Sequence, residues 1–306
     1  MNASLGAGRY APSPSGDFHL GNLRTALLAW AFARADGKRF LLRVEDLDRV
    51  RRGAEQRQLD DLTAIGLDWD GPVLRQSERL PHYRQAIDRL TEAGLTYECF
   101  CTRREIQQAT SAPHGPMGAY PGTCRTLTSS QRAEFRAQGR RAALRLRARR
   151  TQFEIVDELH GDYLGQVDDV VLRRGDGIPA YNLAVVVDDA AQGVDQVVRG
   201  DDLLASTPRQ AYLATLLDLP IPRYAHVPLV LNATGARLAK RDGAVTLADQ
   251  RELGITPTQV VTALAHSLGV RAQTSAQFLE RFDRARLPRE PWVLGTNGLL
   301  QHDRCP

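Results

Sequence analysis

Arg9-Tyr10-Ala11-Pro12-Ser13-Pro14-Ser15-Gly16-Asp17-Phe18-His19-Leu20-Gly21-Asn22 joins the end of a short strand to the start of a long helix. Pro12 and Pro14 fix the chain direction, while Ser13, Ser15 and Gly16 leave backbone N–H groups open ahead of a helix expected from Leu20 to Ala35. Leu20, Leu23, Leu27 and Trp30 recur at helical spacing, which gives that helix a buried face. Its first turn carries unpaired N–H groups and the positive end of the helix dipole, an arrangement that favours phosphate. His19-Leu20-Gly21 at that point suits a nucleoside triphosphate; a Pro-rich turn with a surface histidine is the plainer reading.

A chain of 306 residues has room for one large or two to three small domains. Its 42% hydrophobic and 25% charged content is that of a soluble globular protein. No apolar stretch approaches a membrane span and the N-terminus lacks a signal-peptide pattern, so a cytoplasmic location with no membrane partner is expected. The net charge of +4 is unevenly placed: residues 132–150 hold eight arginines against one acid, Glu134, a local +7. Within that run Leu144, Leu146 and Ala148 alternate with Arg145, Arg147 and Arg149, a strand pattern with one apolar and one cationic face. Such a face is either solvated or in contact with a phosphate backbone.

Residues 1–94 alternate strand and helix, with a buried strand Arg39–Val44 and helices around Gly53–Ile65 and Pro81–Ala93. That alternation predicts an α/β fold with a parallel, Rossmann-like nucleotide-binding sheet. Residues 95–178 change character, with cysteines, a Pro/Gly loop at 113–122, the arginine strand and several short strand-like runs; they read as an inserted α+β module. From 179 to 250 the α/β pattern resumes, with a buried strand Leu183–Val187, a strand Gln196–Val198 and a helix Thr207–Leu217. Residues 251–306 read as a short, mainly helical C-terminal part, notably Thr256–Leu268, and residues 270–306 with Trp292 most simply pack on the catalytic domain.

Two groups of residues carry further chemistry. Glu45-Asp46 follow strand 39–44, and an open α/β sheet places ligands at the carboxyl ends of its strands. Asp46 and Asp48 also read as ion-pair partners for Arg43, Arg49 or Arg51. Cys99-Phe100-Cys101 and Cys124 supply three soft ligands suited to tetrahedral zinc, with His114 as the conventional fourth and buried free thiols as the alternative. Neighbouring cysteines at i and i+2 do not easily bridge each other, and Cys305 is a bystander thiol.

The opening segment, with His19-Leu20-Gly21-Asn22 as its HIGH element, resembles the signature of class I aminoacyl-tRNA synthetases of the glutamate/glutamine type. The similarity runs from about Arg9 to Leu268. It implies that His19, Gly21 and Asn22 bind ATP, used with Mg2+. Arg237-Leu238-Ala239-Lys240-Arg241 corresponds to the KMSKS-type loop that closes on the triphosphate, with arginine for the first lysine, alanine for the first serine and arginine for the last. Lys240 survives, so the catalytic set is His19, Asn22 and Lys240. The resemblance also implies a glutamate pocket of Arg9, Tyr10, Ala11, Pro12, Ser13, Glu45, Tyr181 and Arg199, in which Glu45 receives the ammonium group and the arginines favour an acidic substrate. Without it, Tyr181 reads as a core aromatic and Arg199 as a surface charge.

One subgroup of the family, the short synthetases that attach glutamate to queuosine, pairs Cys-x-Cys with Tyr-x-x-x-Cys as its zinc pattern. This implies Cys99, Cys101, Tyr120 and Cys124 as ligands of one structural Zn2+. Only about 65 residues follow Lys240, too few for the helical domain with which a conventional glutamyl-tRNA synthetase reads the anticodon. The resemblance therefore implies a monomer that activates L-glutamate with ATP, without needing tRNA, and transfers it to the queuosine base at the wobble position of tRNA(Asp). The anticodon loop would take the place of an acceptor end, and the arginine strand becomes a tRNA contact. A truncated conventional synthetase acting on a tRNA 3′ end and a non-catalytic tRNA-binding paralogue are the alternatives.

Overall fold

A computed structural model describes residues 6–102, 104–106, 120–238 and 245–295. The chain begins with β1 (Ala7–Tyr10), α1 (Leu20–Ala35), β2 (Arg39–Val44), α2 (Ala54–Ala64), β3 (Leu74–Arg75) and α3 (Leu80–Glu92). It continues through β4 (Thr96–Cys99), α4 (Ser129–Ala137), β5 (Ala143–Leu146), β6 (Gln152–Asp157), β7 (Gly161–Gln166) and β8 (Val171–Arg173). Then follow α5 (Tyr181–Ala191), β9 (Val194–Gly200), α6 (Thr207–Leu216), β10 (Arg223–Val227) and β11 (Val230–Leu231). The last elements are α7 (Leu247–Glu252), α8 (Pro257–His266), α9 (Ser275–Glu280) and β12 (Trp292–Val293).

Seven strands form the central sheet in the order β3-β2-β1-β9-β10-β6-β7. All its pairings are parallel except the β6–β7 hairpin. Buried apolar strands such as β2 need cover on both faces, and the helices supply it. On one face α1 packs with α8 and α9 in a core that includes Leu20, Leu27, Phe32, Val260 and Phe278. On the other, α3, α5 and α6 share a core of Tyr83, Ile87, Leu183 and Leu213. Strands β4, β5 and β8 make a separate antiparallel sheet. Within residues 95–178, then, the β6–β7 hairpin joins the central sheet while the other three strands do not. At the far end β12 pairs with β11, so Trp292 sits opposite Val230.

Three expectations are corrected. Residues 183–187 are helical, within α5, rather than a strand. Leu183, Ala184, Val185 and Val186 are all buried, because α5 is wedged between α3, α6, β8 and β9; a run covered on every side has no period to separate strand from helix. Second, α1 is buried on nearly all sides, not on one face, and even Arg24 is enclosed, donating to the Pro228 carbonyl at 2.7 Å and to Ser267 Oγ at 3.0 Å. Third, the arginine strand does not present a cationic face to solvent. β5 ends at Leu146 and lies between β4 and β8. Arg145 is buried with its guanidinium 3.6 Å above the Tyr120 ring and donates to the Asp169 carbonyl at 2.7 Å. Arg147 lies over Tyr97 and donates to the Arg125 carbonyl, leaving Arg149 and Arg150 exposed.

Candidate active site and cysteine cluster

Because β1, β2, β9, β10 and β6 run parallel, their carboxyl ends share one edge of the sheet, where Arg9, Glu45, Arg199, His226 and Asp157 stand. The strand order reverses between β1 and β9, which pair only at Ala7 and Gly8, and a crevice at such a point is where open α/β sheets bind ligands. The proline turn is pinned there from three sides. Glu45 N donates to the Pro12 carbonyl at 2.9 Å, Arg51 N to that of Pro14 at 2.9 Å, and the buried Gln58 amide to those of Ser13 and Gly16 at 3.1 and 2.7 Å. Ser13, Glu45 and Tyr181 line a cleft of about 500 Å3 that continues past Asp48, Arg49 and Arg174 to Cys99 and Cys101.

Two adjacent acids on α5 organise this pocket. Asp189 accepts from Arg9 Nε at 3.3 Å and from Arg43 Nη1 at 2.8 Å, all three residues being buried. Burial alone would raise the Asp189 carboxyl; the two guanidinium groups outweigh it and hold the pKa below the usual range. Asp188 accepts from Arg79 Nε at 2.6 Å, the Tyr83 hydroxyl at 2.7 Å and Gln76 at 3.0 Å. Glu45 Oε1 lies 3.6 Å from Arg43 Nη2, but here burial wins over Arg43 and Arg9 and the pKa is raised. An ammonium group beside Glu45 would supply the charge that burial withholds. Asp46 and Asp48 are not partners of Arg43: Asp46 accepts from the Ser77 backbone and hydroxyl, and Asp48 pairs with Arg174 at 3.0 Å. Both acids lie beyond the end of β2, whereas Arg43 is fully buried and turned to Asp189.

Arg199 is buried on β9 and meets Tyr181, the first residue of α5, through Nη1 to the hydroxyl at 3.4 Å. Tyr181 is 41% exposed, and desolvation raises its phenol pKa against the opposing pull of Arg199. Arg9, Glu45, Tyr181 and Arg199 thus converge. Tyr10 does not face the same crevice: its hydroxyl donates to the Asn22 carbonyl at 3.2 Å and its ring packs edge-on against Phe18. Sequence reasoning missed Asp188, Asp189, Asp157 and His226. Consecutive acids ending an apolar run, and a histidine inside the buried strand Arg223–Val227, were the available signals.

His19 is the N-cap of α1. Its Nδ1 accepts from Asn22 N at 3.3 Å while Asn22 Oδ1 accepts from His19 N at 3.1 Å, a reciprocal capping box. Burial, with Arg237 adding to it, lowers the His19 pKa to about 4, so the ring is neutral near pH 7. With Nδ1 accepting, the proton sits on Nε2. A Cβ on Gly21 would stand 3.0 Å from this ring and 3.2 Å from Val230, which explains glycine there. Lys240 lies outside the described residues, as does His114. The segments flanking Lys240 are anchored at α1: Leu20 N donates to the Val245 carbonyl at 2.8 Å, and Leu238 shares a core with Leu20. Arg237 pairs with Asp202 at 2.9 Å, just beyond Arg199 and Gly200.

In the antiparallel module, the sulfurs of Cys99, Cys101 and Cys124 lie within 4.8 Å of one another, and those of Cys101 and Cys124 are 3.4 Å apart. A tetrahedral zinc with bonds of about 2.3 Å sets its sulfurs about 3.8 Å apart. The Tyr120 hydroxyl lies 3.2 Å from Cys99 Sγ and 3.5 Å from Cys101 Sγ, and accepts from Cys124 N at 3.0 Å. Burial and the neighbouring sulfurs push Cys101 up to about 12 and raise Tyr120 as well. Cys99 differs: against burial, Tyr120 and the Arg145 guanidinium lower its pKa, but one guanidinium does not balance three thiolates, and a zinc ion fits that need.

Residues 7–288 match the family model for tRNA synthetases class I (E and Q), catalytic domain. A glutamyl-Q tRNA(Asp) synthetase of Nocardia farcinica (strain IFM 10152) is 76% identical over 301 residues, which cover 98% of this chain and 97% of that protein. One of Cutibacterium acnes (strain DSM 16379 / KPA171202) is 56% identical over 270 residues, 86% of this chain and 76% of that protein. Among solved structures, a glutamate tRNA ligase from Elizabethkingia meningosepticum in complex with its amino acid superposes with a TM-score of 0.80 at 26% identity, covering 95% of this chain and 67% of that one. With a family match across nearly its whole length and relatives this similar, the chain belongs to the class I tRNA synthetases of the glutamate and glutamine type, a family of ligases, and groups there with the glutamyl-Q tRNA(Asp) synthetases.

Proposed function

We propose that this enzyme activates L-glutamate with ATP, without requiring tRNA, and transfers the glutamyl group to the queuosine base at the wobble position of tRNA(Asp). The observation that carries the reading is the convergence of Arg9, Glu45, Tyr181 and Arg199 at the switch-point crevice, beside a helix N-terminus capped by a neutral histidine. The printed names of the similar proteins support the nucleic-acid substrate. Glu45 takes the substrate ammonium, and Arg199 with Tyr181 takes a carboxylate. The glutamate α-carboxylate attacks the α-phosphorus of ATP, giving glutamyl-adenylate and pyrophosphate. His19 Nε2–H donates to the phosphates without adding charge of its own, Asn22 holds His19 in place, and Gly21 leaves room for the nucleotide. Lys240 meets the charge that develops on the departing phosphates. In the second step a hydroxyl of the modified base attacks the adenylate carbonyl and AMP leaves. The cleft from Glu45 past Arg49 and Arg174 is the route for that base.

Cys99, Cys101, Tyr120 and Cys124 hold one structural zinc, which ties the end of β4 to the turn before α4. Residues 1–94 and 179–250 act as the two halves of the catalytic domain around the module, in a cytoplasmic monomer. The test is transfer of labelled glutamate, with ATP, to tRNA(Asp) with and without queuosine and to tRNA(Glu). Labelling confined to the queuosine-bearing tRNA(Asp) is expected. Labelling of tRNA(Glu) would make this a compact conventional synthetase, and tRNA binding without any labelling would make it a non-catalytic paralogue. Lys240→Ala is expected to lower glutamate-dependent pyrophosphate exchange by about 100- to 1,000-fold while tRNA binding persists.

A further inference from the structure

Arg199 is held by neutral groups alone. Nε donates to His226 Nε2 at 3.1 Å, Nη2 to Thr207 Oγ1 at 2.8 Å and Nη1 to the Tyr181 hydroxyl at 3.4 Å; among the described residues no carboxylate pairs with it. His226 Nε2 and Thr207 Oγ1 stand 3.0 Å apart, side by side along one edge of the guanidinium, where a carboxylate would otherwise sit. A guanidinium has five N–H donors, so these three contacts leave one donor on each Nη nitrogen. Each Nη nitrogen thus keeps a donor for an incoming carboxylate, and the positive charge has no acid partner among the described residues. Arg9 and Arg43 differ, since both share Asp189.

His226 can accept only if its proton lies on Nδ1. Asp157 ensures that: its Oδ2 is 2.6 Å from His226 Nδ1, and its oxygens also accept from the backbone N–H groups of Leu159, His160 and His226. His226, Asp157 and Thr207 are at most 2% exposed. Burial lowers the His226 pKa, which keeps the ring neutral against the pull of Asp157. The one proton of the Thr207 hydroxyl goes to the Leu203 carbonyl at 3.2 Å or to His226 Nε2 at 3.0 Å, and in both cases an oxygen lone pair is left for Arg199.

We infer that Asp157, His226 and Thr207 are positioning residues that aim Arg199 at the substrate carboxylate and, by being neutral where they touch it, keep its charge uncompensated for that carboxylate. Asp157 acts through the tautomer of His226, and the other two act by direct hydrogen bonds. The arrangement favours a substrate with an anionic side chain over its amide, because an amide returns no charge to a buried cation. The inference rests on the reading of this pocket as the glutamate site.

Glutamate-dependent pyrophosphate exchange, run on the full chain, tests it. Asp157→Asn lets the amide donate to Nδ1, moves the proton to Nε2 and turns it against Arg199; Thr207→Val removes one acceptor, and Thr207→Ser restores it. The expected result is a KM for glutamate raised about 10- to 100-fold in the first two variants, with the KM for ATP within about threefold of the parent, and near-parent values for Thr207→Ser. An unchanged glutamate KM in Thr207→Val, or parallel rises in both KM values, overturns the positioning role even if Asp157→Asn does not fold. Absence of glutamate-dependent exchange in the parent enzyme defeats the functional reading itself.

Discussion

The crevice at the strand ends and the cysteine cluster are both buried groups of polar side chains, yet they are balanced in opposite ways. Around Arg199, whose charge is left for substrate, the other acids and arginines of the crevice answer one another: Asp189 lies between Arg9 and Arg43, and Asp188 gathers Arg79, Gln76 and Tyr83. In the module, three thiols and a phenol face one another, and among the described residues the cation against them is Arg145, over the Tyr120 ring and hydrogen-bonded to Cys99. A framework of paired acids and arginines holds its shape before ligand arrives; one composed of donors to metal holds its shape once metal is present.

Four measurements sharpen or break that contrast. Asp189→Asn leaves two buried guanidinium groups short of a counter-charge and should cost about 3–5 kcal/mol in urea unfolding; a small cost would mean the crevice is not the self-balanced region. Cys124→Ala should remove bound zinc, read by elemental analysis, and speed proteolysis in the arginine-rich stretch 132–150 about tenfold while leaving global unfolding nearly unchanged. A drop in global stability instead would tie the two regions into one unit. The third concerns Glu45, whose proposed hold on the substrate ammonium requires the ionised carboxylate. Its pKa is raised, so the ionised fraction falls sooner on acidification than for an ordinary glutamate. The KM for glutamate should be flat above that pKa and rise about tenfold per pH unit below it, and Glu45→Gln should abolish the dependence. The smallest effect is at the rim: Arg149→Ala should weaken tRNA binding about two- to threefold and reduce its salt slope by about one, whereas Arg145→Lys should leave the slope unchanged.

Much of the frame was legible. Pro12 and Pro14, the periodic leucines of α1 and the apolar run of β2 are local signals, and local signals survive folding. The misreadings share a cause. Leu183–Val186 and Arg145 are covered from every side, and neither periodicity nor charge type reveals cover supplied by distant segments. Asp157 and His226 are 69 residues apart and meet only because β6 lies beside β10. Nothing in either stretch announces the other. Glu45 and Arg9 were named through resemblance, while Asp189, which acts on both, was not, because it belongs to a helix misread as a strand.

The cap on α1 has a consequence for how this enzyme can be dissected. One imidazole serves two masters: Nδ1 caps the helix, which leaves the ring proton on Nε2. Alanine at position 19 therefore removes a helix cap, a loss of about 1 kcal/mol, along with any contact to nucleotide, and an inactive alanine variant proves little about chemistry. Asparagine can still cap while offering nothing at the reach of Nε2, so His19→Asn separates scaffold from reagent at a single position.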